Sequence, residues 1–482
     1  MRGLQRLVGV LIVGAAVGGA ALLWWAVSGS GDRYAGPAHS GLVLGTWRVL
    51  YDTEAPGTAT IGAAVGLALI FAAAVATIET RIANRARRSV DGAHLPLSPR
   101  VVMAATRGVY AGPVTITVLI PAHNEERGIG LTLASLKEQS HPPDRIVVVA
   151  DNCTDGTIVV ARAAGVEVVE TVGNTRKKAG ALNQVLTQVL PHQGDNDLVM
   201  VMDADTVLDQ GFLDSAARRM TADRGLMAVG ALFYGEEGCG LLGQFQRNEY
   251  TRYGRDLKRR RGKVFVLTGT ATVFRPRALR TIAAERGHSI PGVNGDVYDT
   301  LVLTEDNELT LALKSLGALI MSPSDCTVVT EVMPTWGNLW TQRLRWQRGA
   351  LENLGAYGMR PQTFRYWAQQ LGIGYGVIAL VSYLLLIAIT TLASDGWVWF
   401  PFWLGVGSLF VVERIIGVWA GGWRARLLAI CLLPELFYAM FLDVVYVKGV
   451  IDLSRGRQAT WGAGHSAAAD PVGTADVAQV SA

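Results

Sequence analysis

The chain has 482 residues, 50% of them hydrophobic and only 17% charged, a balance too apolar for a purely soluble protein. Its net charge of +4 is modest, and the one dense basic run, at 258–263, is typical of a solvated surface, so we expect no nucleic-acid partner. The four cysteines are widely separated and predict neither a disulfide framework nor a zinc site.

Two uncharged apolar segments lie near the start of the chain, at 7–27 and about 58–78. Each is about 20 residues long, the length that a helix needs to cross about 30 Å of hydrocarbon. A signal peptide is the alternative for the first segment, but its apolar run is too long and no small-x-small cleavage site follows. Basic residues before the first segment and after the second place both flanks in the cytoplasm. Residues 1–88 are therefore predicted to form two transmembrane helices with a basic cytoplasmic flank.

The middle of the chain, from about 113 to 350, alternates short runs of Val and Ile with amphipathic stretches. The runs lack polar alternation, which indicates strands covered on both faces and hence a largely parallel sheet. We predict strands at 114–122, 145–151, 166–170 and 197–205, with helices at 125–139, 154–164 and 178–190. In such an α/β sheet, ligands bind at the carboxyl ends of the strands.

Polar residues end three of these strands: His123-Asn124-Glu125, Asp151-Asn152 and Asp203-Ala204-Asp205. Each ending alone could be ordinary turn chemistry, but three at one edge indicate a binding site. Asp203 and Asp205, at alternate positions of an extended segment, would project from the same side. Their mutual repulsion calls for a cation, and a hard divalent ion bridging to a diphosphate fits oxygen ligands. An isolated DxD remains a weak signal.

Two later stretches also carry polar residues that are candidates for a site. "VLTGTATVFRPRAL" (266–279) is predicted to be a strand-turn-strand whose Thr268, Gly269 and Thr270 line a pocket, with a plain hairpin as the alternative. "LTEDNELT" (303–310) starts a helix, and acidic residues in a first turn offset the free N–H groups there. The helix N-terminus should also lower the pKa of Asp306 and keep it ionised.

The last third of the chain contains further candidate membrane segments. "QRLRWQRG" (342–349) carries three arginines that cannot face lipid, and the mixed 330–340 segment before it resembles an interfacial helix, so 331–370 is predicted to be interfacial. Apolar stretches at about 371–393, 397–419 and 427–447 predict about three transmembrane helices within 371–450. Their charged residues should face the bundle interior, a wet cavity or the helix ends; they are Glu413, Arg414, Glu435 and Asp443. Residues 462–482 are predicted to be a disordered tail.

Taken in order, "VVVADNCTDGT" (147–157), "VMDADT" (201–206), "LTEDNELT" and "QRLRWQRG" resemble the motifs of the membrane-embedded family 2 glycosyltransferases. They are most similar to those of the processive synthases of cellulose, hyaluronan and poly-N-acetylglucosamine. The resemblance implies a GT-A type α/β catalytic domain, here 113–330, inserted between N- and C-terminal transmembrane helices. At the first motif the match is looser, because one leading Asp replaces a pair and Asp155 follows four residues on.

The resemblance also implies roles for the motif residues. Donor-binding residues would be Pro121, Asn124, Glu125, Asp151, Lys178, Asp203, Asp205, Gln342, Arg345 and Trp346. Asp205 would hold Mg²⁺ or Mn²⁺ on the diphosphate, and Asp306 would be the general base. Acceptor-binding residues would be Thr268, Gly269, Thr270, Glu305 and Trp346. Trp346 offers a flat face for a sugar ring, although an aromatic anchor at the membrane interface is its alternative interpretation.

The leading hypothesis is an inverting β-glycosyltransferase of the cell membrane with a cytoplasmic catalytic domain. It would use a UDP-sugar to elongate a polysaccharide and pass it through its own helices, so its partners would be the donor, the growing polymer or a lipid-linked acceptor, and membrane lipids. Five candidate transmembrane helices are few to enclose a pore, which weakens the translocation part of this hypothesis. A non-processive transferase acting on a lipid-linked acceptor and a catalytically silent nucleotide-binding scaffold are the alternatives, whereas a transporter is disfavoured because the charges lie in the soluble middle.

Overall fold

The computed structural model describes residues 94–107, 112–260, 262–393 and 401–457, together with scattered residues between 13 and 77. The chain divides into two compact units. One consists of Met1–Ala93 and Ile373–Phe410, and the other of His94–Gly372 and Val411–Ala482. The predicted tail at 462–482 and the basic flank at 81–88 lie outside the described residues.

The first unit contains the two predicted N-terminal spans, and those of their residues that the structure describes are helical. A hairpin of β1 (His39–Val43) and β2 (Trp47–Tyr51) stands between them in the chain. A Cβ built on Gly19 would lie 2.7 Å from the Gly66 carbonyl oxygen, so the two helical segments approach backbone to backbone. Small residues permit this kind of contact between membrane helices.

The second unit is built around a seven-stranded sheet. Its strands are β3 (Thr115–Ala122), β4 (Arg145–Ala150), β5 (Glu167–Glu170), β6 (Asp197–Met202), β8 (Leu226–Gly230), β10 (Ala271–Phe274) and β11 (Leu319–Met321). Their spatial order is β11-β8-β10-β6-β3-β4-β5. Only β10 runs antiparallel to its neighbours, so the predicted largely parallel sheet is confirmed. Strands β7 (Val207–Leu208), β9 (Leu232–Gly235) and β12 (Thr327–Thr330) form a small second sheet in the order β7-β12-β9.

Helices cover both faces of the large sheet. They are α1 (Pro99–Ala105), α2 (Ile129–Lys137), α3 (Thr157–Ala163), α4 (Lys177–Val189), α5 (Phe212–Ala222), α6 (Gly240–Arg259), α7 (Pro276–Glu285), α8 (Glu305–Ser315) and α9 (Trp336–Tyr357). Alternate residues of β3 enter opposite cores: Val118 and Ile120 pack with residues of α2 and α5, whereas Leu119 packs with residues of α4, α7 and α8. This two-sided burial explains the continuous apolar runs in the sequence.

Two predicted elements are wrong. The 266–279 stretch is not strand-turn-strand, because only β10 is extended and Pro276 then starts α7, where its missing N–H costs no hydrogen bond. The strand predicted to reach 205 ends at Met202, and the chain turns at Ala204 and Asp205. Asp203 and Asp205 are therefore not alternate residues of one strand.

The chain continues through α10 (Phe364–Ala393), α11 (Pro401–Gly417), α12 (Gly422–Ile430) and α13 (Leu432–Ser454). Among the described residues, the segment Phe364–Ile389 is long and apolar enough to cross a membrane, and α12 with α13, bent by 94° between them, would make a second span if counted as one. The buried carboxylate of Glu435 pairs with Arg252 of α6 and, at 3.0 Å, with Arg414 of α11. Trp336, at the start of α9, packs on Phe441 of α13 with ring centroids 4.9 Å apart.

Candidate active site

The loops after β3 and β4 hold two unusual backbone conformations. Asn124 and Asn152 have φ values of 59° and 51°, a left-handed region that Asn adopts more readily than most residues. Asn124 Oδ1 accepts a hydrogen bond from the Thr154 N–H at 2.7 Å, which joins the two loops. Asn152 Nδ2 donates to the Asn174 carbonyl at 3.0 Å. Strained residues of this kind cluster at functional sites, and here they shape the edge on which three predicted polar endings meet.

Asp151 is buried at the end of β4 and is oriented by several donors. Its Oδ1 accepts hydrogen bonds from Asn174 Nδ2 and Thr171 Oγ1, both at 2.8 Å, and from Asn152 Nδ2 at 3.1 Å. Pro121, on the neighbouring strand β3, is buried opposite Val149 of β4. The structure therefore brings the predicted donor-binding residues of β3 and β4 to one edge of the sheet.

Lys178, in the first turn of α4, is the centre of the site. Its Nζ lies 2.5 Å from Asp203 Oδ1 and 3.0 Å from Glu305 Oε1, so one cation joins α4, the end of β6 and the start of α8. Burial alone would lower the pKa of Lys178, but the two carboxylates hold it well above its ordinary value. Burial raises the pKa of Asp203 to about 6. At Glu305 burial also acts to raise the pKa, but Lys178, a backbone N–H and Arg345 together lower it.

Gly269 approaches this ion pair so closely that a side chain there would push against it. A Cβ at position 269 would lie 3.0 Å from Lys178 Nζ and 3.1 Å from Asp203 Oδ2. Thr268 and Gly269 line the same cavity as Lys178, Tyr298, Glu305 and Asp306. Thr270 Oγ1 lies 2.7 Å from Thr268 Oγ1, and its carbonyl accepts from the Asp203 N–H at 3.2 Å. The three predicted acceptor residues thus adjoin the ion pair, although the local fold differs from the prediction.

Asp306 lies in the first turn of α8 and faces the same cavity. Its Oδ2 accepts a hydrogen bond from the Gly269 N–H at 3.2 Å, and its Oδ1 accepts from the Asn307 N–H at 2.7 Å. The expectation of a lowered pKa is wrong, because burial and the adjacent Glu305 raise the pKa of Asp306 to about 6. A carboxylate with this pKa is better matched to accepting a proton near neutral pH than an ordinary aspartate.

Asp205 belongs to a different group of acids. Burial raises the pKa of Glu125 to about 8, and the carboxylates of Asp205 and Glu331 add to the effect. Thr206 Oγ1 donates to Asp205 Oδ1 at 3.1 Å. Such mutual repulsion is relieved by a proton or a cation, so these residues fit a hard divalent ion. No three His, Cys, Asp or Glu side chains in the described ranges converge as a metal site, so an ion at Asp205 would need further oxygen ligands from a bound diphosphate.

The third group of predicted residues lies on α9. Gln342, Arg345 and Trp346 have the i, i+3, i+4 spacing of one helix face. Arg345 is close enough to Glu305 to help lower the pKa of that carboxyl. Gln342 Oε1 is buried and, within the described part of the chain, has no hydrogen-bond partner. Arg343 lies 4.3 Å from the Trp346 ring centroid and donates to Glu249 Oε2 at 2.9 Å.

Close packing joins α9 to the start of α8. A Cβ at Gly349 would lie 2.3 Å from Thr304 Oγ1, so only glycine permits this approach. Asn353 Nδ2 donates to the Thr304 carbonyl and to Asn307 Oδ1, each at 3.1 Å. These contacts bring Glu305 and Asp306 to the helix that carries Gln342, Arg345 and Trp346.

A buried ion pair behind the site could not be found from the sequence. Arg286, fully buried, donates to both carboxylate oxygens of Glu308 at 2.7 Å, and the Tyr357 hydroxyl donates to Glu308 Oε1 at 2.5 Å. Glu331, another acid near Glu125, could not be found from the sequence either. No sequence spacing links Arg286 to Glu308 or Glu331 to Glu125, because the partners come from separate elements.

Residues 113–349 match the family described as glycosyltransferase like family 2. The poly-beta-1,6-N-acetyl-D-glucosamine synthase of Staphylococcus aureus (strain COL) is 28% identical over 245 residues, which cover 50% of this chain and 55% of the relative. The synthase of the same name from Staphylococcus epidermidis is 26% identical over 246 residues, again 50% of this chain and 55% of the relative. This chain thus aligns with about half the length of the curated relatives it matches.

Among solved structures, the mannosyltransferase PcManGT from Pyrobaculum calidifontis, in complex with GDP-Man and Mn²⁺, aligns with a TM-score of 0.45 and 18% identity. The alignment covers 78% of this chain and 99% of that one.

Proposed function

Because the chain belongs to the family 2 glycosyltransferases through residues 113–349, we propose that it is an inverting β-glycosyltransferase that uses a UDP-sugar to elongate a polysaccharide at the cell membrane. The observation that carries the proposal is the position of Asp306. Asp306 has a pKa of about 6 and lies beside Lys178, Glu305 and the Gly269 N–H. It also lies next to the helix that carries Arg345 and Trp346.

In the proposed reaction, Asp306 accepts the proton of the acceptor hydroxyl while that oxygen attacks the anomeric carbon of the donor. The bond between the anomeric carbon and the diphosphate oxygen breaks, and the electron pair leaves with the UDP. A single displacement of this kind inverts the anomeric configuration, and the proton ends on Asp306. A positioned general base of this type typically contributes about 10²- to 10⁴-fold in rate.

The departing diphosphate needs positive charge. Arg345 supplies a cation from α9, and Gln342 on the same face would donate its amide N–H₂ to the diphosphate, because its Oε1 can only accept. Asp205 would hold Mg²⁺ or Mn²⁺, which when bound neutralises charge on the leaving group. The nucleoside would lie over the edge formed by Pro121, Asn124, Glu125 and Asp151, with Lys178 and Asp203 toward the sugar.

The acceptor would enter beside Thr268, Gly269 and Thr270 and stack on Trp346. Stacking of the tryptophan against the Arg343 guanidinium at 4.3 Å holds one ring face and leaves the residue 36% exposed. The relatedness to poly-N-acetylglucosamine synthases supports a polymer as product, and the apolar segment Phe364–Ile389 supports attachment to a membrane. The basic residues that flank the first two apolar segments favour a cytoplasmic catalytic domain.

The test uses the full chain in detergent or membrane vesicles with Mg²⁺ or Mn²⁺ and a panel of radiolabelled UDP-glucose, UDP-N-acetylglucosamine and UDP-glucuronate. We expect one donor to yield a ladder or high polymer. A single sugar added to lipid would instead identify a non-processive transferase. Asp306→Asn should abolish transfer, whereas the matched Asp325→Asn, which removes a half-exposed acid paired with Arg219, should not. Full activity of Asp306→Asn would refute the assignment of the base, and nucleotide binding without transfer by any donor would indicate a silent scaffold.

A further inference from the structure

One face of α8 holds the segment 264–269, here called the strap, at three successive points. Asp306, Thr310 and Lys314 are four residues apart and therefore lie along one side of the helix. Asp306 Oδ2 accepts from the Gly269 N–H at 3.2 Å, and Thr310 Oγ1 accepts from the Leu267 N–H at 2.9 Å. Lys314 Nζ donates to the Val264 and Phe265 carbonyls at 2.7 and 3.2 Å. The strap thus runs antiparallel to the helix, and its far end is attached to the candidate base.

Lys314 has three N–H groups and three acceptors for them. The third is the hydroxyl of Tyr366, at 2.8 Å, which itself donates to the Phe265 carbonyl. Tyr366 lies in the first turn of α10, the helix that contains the long apolar segment. Burial lowers the pKa of Lys314 to about 7, and Arg365 adds to the effect. Lys314 is half-buried with all three N–H groups donating, so it joins α8, the strap and α10 at one point.

The aromatic ring of Phe265 strengthens this junction. The Arg365 guanidinium lies 4.2 Å from the ring centroid and that of Arg260 lies 5.1 Å from it, so both cations contact the ring. Tyr366 meets the same ring edge-on with centroids 5.7 Å apart. The beginning of the strap is therefore held between α6, α8 and the first turn of α10.

We propose that Thr310 and Lys314 are positioning residues for the transfer reaction. They fix the position of the strap and, through it, the position of the Gly269 N–H that donates to Asp306. Through Tyr366, Lys314 also couples the position of the strap to the first turn of α10. The inference rests on the proposed function. The space beside the end of the strap is small, because a Cβ on Gly269 would lie 3.0 Å from Lys178 Nζ and 3.1 Å from Asp203 Oδ2. A shift of the first turn of α10 would move Phe265 and, along the strap, the N–H that stabilises the ionised base.

The variants Thr310→Val and Lys314→Met remove the hydroxyl and the ammonium while keeping most of the volume. Loss of the Gly269 N–H bond destabilises the ionised form of Asp306, so the acidic limb of the pH–rate profile should move up by about 0.5–1 pH unit. The groups that face Asp306 and stay unchanged are Glu305, Lys178, Asp203, Tyr253 and Tyr298. We expect kcat to fall about 10-fold and the donor KM to change less than about twofold, because the base acts in the transition state.

Besides accepting from the strap, Thr310 Oγ1 donates to the Asp306 carbonyl at 2.8 Å, four residues back in its own helix. Thr281→Val is the matched control, because Thr281 Oγ1 donates in the same way to the Arg277 carbonyl at 2.8 Å on the neighbouring helix α7. It should leave kcat and the pH profile unchanged, and Thr310→Ser should retain wild-type behaviour. Hydrogen exchange measured by mass spectrometry should show faster exchange in peptides covering 264–270 for Lys314→Met and Thr310→Val only. Unchanged exchange and an unchanged acidic limb in both variants would overturn the inference. If the wild-type chain transfers no sugar, the proposed function fails, and the exchange result alone still decides the role of the strap.

Discussion

Replacing Gly349 with alanine should destabilise the protein, although alanine is the better residue in the interior of a helix. The new Cβ would lie 2.3 Å from Thr304 Oγ1, 2.7 Å from its Cγ2 and 3.0 Å from its Cβ. Thr304 cannot rotate away without loss, because Asn353 donates to its carbonyl at 3.1 Å and to its Oγ1 at 3.2 Å. To relieve the clash, either α9 must move away from the start of α8 or Thr304 must lose its hydrogen bonds to Asn353.

The magnitudes decide the sign of the effect. Alanine gains about 1 kcal/mol over glycine in helix propensity. Overpacking in a well-packed interior costs about 1–3 kcal/mol, and each lost hydrogen bond costs about 1 kcal/mol more. The net expectation is a loss of about 1–3 kcal/mol. Thr304 directly precedes Glu305 and Asp306, and a misplacement of about 1 Å at reacting groups can lower the rate about 100-fold.

Gly355→Ala is the control on the same helix, because a Cβ there meets nothing within 4 Å. Thermal unfolding in detergent and the initial rate of transfer should be measured for both variants. We expect Gly349→Ala to lower both, Gly355→Ala to leave the rate unchanged and the midpoint equal or higher, and Gly349→Ala/Thr304→Ala to recover part of the stability. Equal behaviour of the two single variants would refute the argument from close packing.

Three further predictions concern charge. The transfer rate should rise as the pH passes through about 6, because burial and Glu305 raise the pKa of Asp306 to about 6 and only its ionised form accepts a proton. A rate that is independent of pH between about 5 and 7 would contradict this prediction. Arg286→Met should cost about 3–5 kcal/mol in unfolding by denaturant, because it leaves Glu308 buried without its cation, and Arg286→Met/Glu308→Leu should cost less. Chelation of divalent metal should abolish transfer, and Asp205→Asn should raise the Mn²⁺ concentration for half-maximal rate at least about 10-fold; an unchanged metal requirement would remove Asp205 from the metal site.

The local pattern of apolar and polar residues was sufficient to predict those parts of the fold that depend on the burial of single strands. The unbroken apolar runs of β3, β4 and β6 predicted two-sided burial, and the polar residues after them do meet at one edge of the sheet. The helix predicted from "LTEDNELT" begins at Glu305, with Thr304 before it. Each of these features is determined by residues adjacent in the chain.

Properties set by distant residues could not be predicted in the same way. The pKa of Asp306 depends on its burial and on Glu305 beside it, and these outweigh the helix N-terminus that the sequence suggested. After β6 ends at Met202, Asp203 pairs with Lys178, whereas Asp205 is the acid with the largest charge effect on Glu125, and a DxD pattern does not reveal this division. Arg286 and Glu308 are 22 residues apart and have no recognisable spacing, so their pairing emerges only when α7 and α8 pack together.

The ion pairs of Lys178 also bear on how a bound nucleotide would leave. Because Asp203 and Glu305 already lie within 2.5 and 3.0 Å of the ammonium, an incoming anion gains less from this cation than it would from an unpaired one. The two carboxylates compete with a bound anion for the Lys178 ammonium, and they pair with it again when the product leaves. Such competition would weaken ground-state binding and shorten the residence time of a bound nucleotide, which suits the proposed transferase because it would release a nucleoside diphosphate after each transfer.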